Sequence, residues 1–168
     1  MPPLPRALLS ASLVSAVALA ATGCGNAVDA EVIGSAGVTV DSDRRLVVLV
    51  EVCRDDVDSV SLVTGREGLE DDEPNPTVAS WTAATPQSGS IVLETAAPPA
   101  AWTGPATVAL DDGTLYVVSA SSSERDAEVT QASFRAGDLA SLSGGDVIVR
   151  DGSVMARAAF EAGACDGG

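Results

Sequence analysis

The stretch "LDDGTLYVVSA", residues 110–120, decides the fold class. A strand, "ATVAL" (106–110), ends at Leu110, and the chain turns through Asp111, Asp112 and Gly113. A second strand, rich in β-branched and aromatic residues, then runs on from Thr114. Apolar runs of this length between Gly, Asp and Pro punctuation are too short for helices and suit strands.

The same rhythm extends in both directions. Upstream, "GVTV" (37–40) leads to an acidic turn and then to "RLVVLVEVC" (45–53), whose near-continuous apolar run predicts a central strand buried on both faces. "RDDVD" (54–58) reads as a turn and "SVSLVT" (59–64) as a half-buried strand. "GREGLEDDEPNP" (65–76) is a polar loop; "VASWTA" (78–83) and "SIVLET" (90–95) are further strands. "AAPPAAWTGP" (96–105) is irregular, because its prolines cannot donate ladder bonds. Downstream, "AEVTQASF" (127–134) alternates, "GDLASL" (137–142) predicts one helical turn, and "GGDVIVRDGSVMARAAF" (144–160) reads as a hairpin turning at Asp151-Gly152. About ten short strands with almost no helix predict an all-β fold, first an antiparallel β-sandwich and second a small closed barrel.

Leu110, Gly113 and Tyr116 together resemble the tyrosine corner of immunoglobulin-like and fibronectin-like sandwiches, with Asp112 where that family usually has proline. The resemblance implies that the Tyr116 hydroxyl bonds back to the loop backbone. Cys53, Trp102, residues 113–116 and the segment from Phe134 to Gly144 are also similar to features of uncharacterised lipid-anchored proteins of GC-rich Gram-positive bacteria. That resemblance spans most of residues 45–150 and implies no activity.

The amino-terminal segment has a different character. Arg6 precedes an apolar run of 15 residues, 7–21, which suits a signal-peptide core and is short for a membrane-spanning helix of about 20. Ala21-Thr22-Gly23-Cys24 resembles the lipobox of bacterial lipoproteins. The resemblance implies cleavage between Gly23 and Cys24, diacylglyceryl transfer to the Cys24 thiol and acylation of the new amine. Two or three acyl chains hold a protein stably at a bilayer, where one gives marginal binding. The expected layout is a signal peptide over 1–23, a lipidated tether over 24–36 and a β-domain over 37–168, at the extracytoplasmic face of the cell membrane. Residues 25–36 could span at most about 40 Å.

All 24 acidic residues follow Cys24, and of the nine basic residues, all arginine, only Arg6 precedes it. A chain starting at Cys24 therefore carries a net charge of −16, from 24 acids and 8 arginines. Such a surface repels phosphate backbones and excludes nucleic acid as a partner. With Cys24 assigned to the anchor, Cys53 and Cys165 remain, and an even pair in an exported domain predicts a disulfide.

The chain contains no histidine and no lysine, which removes Ser-His-Asp triads, Cys-His pairs, Schiff-base lysines and imidazole zinc sites. No catalytic residue, metal ligand or cofactor is assigned. Asp55, Asp56 and Asp58, and Glu70 to Glu73, lack a calcium-loop spacing and read as solvated loop acids. Trp81, Trp102 and Tyr116 read as core, Trp102 being the one best placed for exposure. The expectation is a membrane-anchored, non-enzymatic binding or envelope-associated module whose ligand or envelope partner is open. A glycan- or calcium-binding adhesion module and a carboxylate-based hydrolase are the alternatives.

Overall fold

The computed structural model describes residues 30–166, so Gly23, Cys24 and the expected signal peptide lie outside the described residues. The strands in order are β1 (Glu31–Val40), β2 (Leu46–Thr64), β3 (Thr77–Glu94), β4 (Trp102–Thr103), β5 (Leu115–Ser122), β6 (Ala127–Thr130) and β7 (Ala132–Arg135). Helix α1 (Ala136–Ser141), strands β8 (Asp146–Ile148) and β9 (Val154–Ala156), and helix α2 (Arg157–Gly163) complete the domain. The fold is all-β with two short helices.

The pairings close on themselves. β1 runs antiparallel to the first half of β2, the second half of β2 runs antiparallel to β5, β5 pairs with β6, and β6 returns parallel to β1. These four strands form a small barrel, with β3 along the far edge of β2 and β7 beside β5. The parallel β1–β6 pair departs from a purely antiparallel sandwich, and the ring matches the second of the two expected architectures.

Two long strands explain how the ring closes. Residues 45–53 and 59–64, expected as separate strands, are one strand of 19 residues. Its register slips between Val52 and Val57, where Asp55 takes a left-handed φ of 57°. The "RDDVD" segment is thus a bulge that bends the strand from one partner to the next, rather than a turn. Val57 remains wholly buried within it. Residues 78–83 and 90–95 likewise merge into β3.

The apolar run of β2 is buried on both faces, as expected. Leu46, Val48, Val50 and Val52 face the barrel core, which also holds Trp81, Tyr116, Phe134 and Leu93. Val47 and Leu49 face the other way, into a second cluster with Val147 of β8 and Phe160 of α2. The β8–β9 hairpin and α2 therefore exist to cover the outer face of β1 and β2. Gly37 makes that possible: a Cβ there would lie 2.5 Å from Val147 Cγ1.

Other differences from the sequence expectation have local causes. β1 begins at Glu31, inside the stretch read as tether. Residues 106–110 form no strand; Gly104 lies against the Trp81 ring, and the Trp81 Nε1–H donates to the Pro105 carbonyl, so the segment leading into them packs on β3 instead. Residues 127–134 break at Gln131 into β6 and β7. The 144–160 hairpin forms around Asp151 and Gly152, both at positive φ, but its far end turns into α2.

Candidate functional site

Three adjoining cavities, of about 370, 350 and 240 Å³, follow the outer face of the β1–β6 pair between the β8–β9 hairpin and α2. Thr130 of β6 lines all three. Val32 and Ser35 of β1 each line two, and Arg150 at the hairpin tip lines the second and third. This is the candidate site.

Each wall has a definite support. α2 is anchored by Phe160 in the second apolar cluster and by the bond between Cys53 and Cys165, whose Cα atoms are 5.4 Å apart. The pairing expected from cysteine parity is therefore present. The Ser35 hydroxyl donates to the Ala164 carbonyl at 3.2 Å and seats the helix end on β1. On the opposite wall, the positive φ values of Asp151 and Gly152 turn the hairpin, and the Ser153 hydroxyl donates to the Arg150 carbonyl at 3.1 Å. At the open end, Arg54 donates to the Val32 carbonyl at 2.6 Å and pairs with Glu31 at 3.1 Å.

The arginines mark the site further. Arg44 donates to the carbonyls of Leu139 and Leu142 at the end of α1. Arg45 pairs with Asp41 and Asp43, Arg125 with Asp55, Arg135 with Glu67, and Arg157 with Glu161. Arg66 donates to the carbonyls of Glu70, Asp71 and Glu73 and so ties the acidic loop. Among the described residues Arg150 alone has no acceptor for its side chain. Sequence reasoning missed it, because nothing in the residue order separates it from the other seven.

The acids and aromatics singled out in the sequence lie elsewhere. Asp55 faces Arg125, and the Asp58 carboxylate accepts the backbone N–H and hydroxyl of Ser123. No group of three or more acidic or cysteine side chains is gathered for a metal among the described residues. All five aromatics are buried, Trp102 included at 6% exposure, so none presents an open ring face. Asp41, in the β1–β2 turn, has its carboxyl held below the ordinary carboxylate range, first by the Arg45 backbone N–H and then by the Arg45 guanidinium and the Asp43 N–H, against partial desolvation. This turn lies outside the groove.

The chain matches no protein-family profile, no curated protein and no solved structure. Among the described residues no helix is long and apolar enough to cross a membrane.

Proposed function

We propose that this chain is a bacterial lipoprotein, anchored through Cys24 at the extracytoplasmic face of the cell membrane, that acts there as a non-enzymatic interaction module. The observation that supports it best is the cysteine accounting. Cys53 and Cys165 are joined to each other, and such bonds persist in oxidising compartments. The remaining cysteine is the one preceded by Ala21-Thr22-Gly23 and an apolar run. The strongly acidic composition agrees with an exposed, soluble domain held off an anionic surface. The kinship with immunoglobulin-like and fibronectin-like domains belongs to the same proposal. It draws support from Tyr116, whose hydroxyl accepts a loop N–H as the tyrosine-corner resemblance implies. The hydrolase alternative has no residue assigned to it.

Metabolic labelling with an alkyne-tagged palmitate, followed by membrane fractionation, tests the anchor. The wild-type chain takes label and sediments with membranes; Cys24→Ala takes none and stays uncut. Label or membrane retention independent of Cys24 would overturn the reading.

A further inference from the structure

The third cavity, of about 240 Å³, has an unusual lining for so acidic a chain. Its one charged residue is Arg150, and no carboxylate lines it. Val149, Met155, Ala159 and Phe160 supply an apolar surface, and Ser35 and Thr130 the only hydroxyls. The Ser35 hydroxyl is engaged with the Ala164 carbonyl. The groove's lining carboxylates, Glu128 and Asp151, share the neighbouring second cavity with Arg150, and neither forms an ion pair with it.

We propose that this cavity binds a short alkyl monocarboxylate, its carboxylate on the Arg150 guanidinium and its chain against Val149, Met155 and Phe160. Three observations select that chemistry. A guanidinium presents a planar fork that matches a carboxylate bidentately, and seven other arginines already hold acceptors while this one does not. One cation balances a monoanion; a doubly charged phosphate would face the field of the remaining acids with a single counter-charge. The cavity is smaller than the roughly 300–1,000 Å³ common for drug-sized ligands, which suits a short alkyl chain. The site does not depend on the lipid anchor, so the two proposals stand or fall separately.

Met155 provides its own reporter, because the chain has only two methionines, Met1 and Met155. The full chain as purified, labelled with ¹³C at the methionine methyls, is titrated with hexanoate. The Met155 methyl resonance is expected to shift and saturate. Hexanamide, the neutral isostere, is expected to bind at least about tenfold more weakly, as is hexanoate to Arg150→Gln. Arg150→Lys, which keeps the charge but not the fork, should fall between. The proposal is overturned by an unsaturable or absent shift with hexanoate, by equal binding of hexanamide, or by wild-type binding in a folded Arg150→Gln chain. The hexanamide comparison uses the wild-type protein, so it decides the question even if the variant misfolds.

Discussion

The hydroxyl of Tyr116 accepts the backbone N–H of Asp111 at 2.7 Å, tying the turn before β5 to the barrel core. The Tyr116 ring also packs on Phe134, with centroids 5.7 Å apart, and is 2% exposed. Tyr116→Phe keeps the ring and deletes the acceptor, leaving a partly buried N–H without its partner. Urea unfolding should show a loss of about 1–3 kcal/mol, whereas an unchanged midpoint would mean that water replaces the bond.

The Cys53–Cys165 bond closes most of the domain, with a sequence separation of 112. Replacing both cysteines by serine should cost roughly 2–5 kcal/mol in unfolding experiments. In the unreduced, denatured wild-type protein neither residue should react with a maleimide. Labelling of both would contradict the pairing.

Gly34 and Gly37 differ in what a side chain would strike. At Gly34 a Cβ would collide with the main-chain carbonyl of Glu51 on the paired strand; at Gly37 it would meet the side chains of Val147 and Phe160, and Val147 would have to move. Gly37→Ala should destabilise by about 1–3 kcal/mol through overpacking. Gly34→Ala should cost more and lower the thermal midpoint further. The reverse order would show that β1 and β2 separate more easily than α2 moves.

Trp81 is wholly buried and Trp102 nearly so. Tryptophan emission of the native protein should be blue-shifted and resist acrylamide quenching, with both properties lost together on unfolding. Strong native-state quenching would place Trp102 at the surface and reopen glycan stacking.

The depressed Asp41 carboxyl gives a pH signature. Its contribution to stability is complete above the ordinary carboxylate value and fades as pH falls through the lower native value. The stability difference between wild type and Asp41→Asn should therefore be constant at neutral pH and shrink only in acid. A difference that persists unchanged well below that range would assign the effect to packing rather than charge.

Several of these features could be read from residue order. The two-faced burial of residues 46–52 followed from an unbroken apolar run, the Cys53–Cys165 bond from parity, and the Asp151-Gly152 hairpin from turn chemistry. Other features depend on contacts that local pattern does not encode. "RDDVD" has the composition of a turn, yet Val57 is held in the core and Asp55 absorbs the bend as a bulge. Nothing local distinguishes β6 as a parallel partner for β1, because alternation is the same in either direction. Arg150 became visible as a site residue only once the partners of the other arginines were known.

Ring closure also sets an order of assembly. β1 finds β2 across a short loop, but its other edge waits for β6, and the covering α2 follows later still. As the chain emerges from the amino terminus, β1 stays half-zipped until β6 is available, after β2 to β5. A long-range parallel pairing of this kind closes slowly, and the unpaired edge is open to other chains meanwhile. The weak moment in this protein's life is thus expected to be its maturation rather than its finished state. The segment most in need of shielding then is Glu31–Ser35.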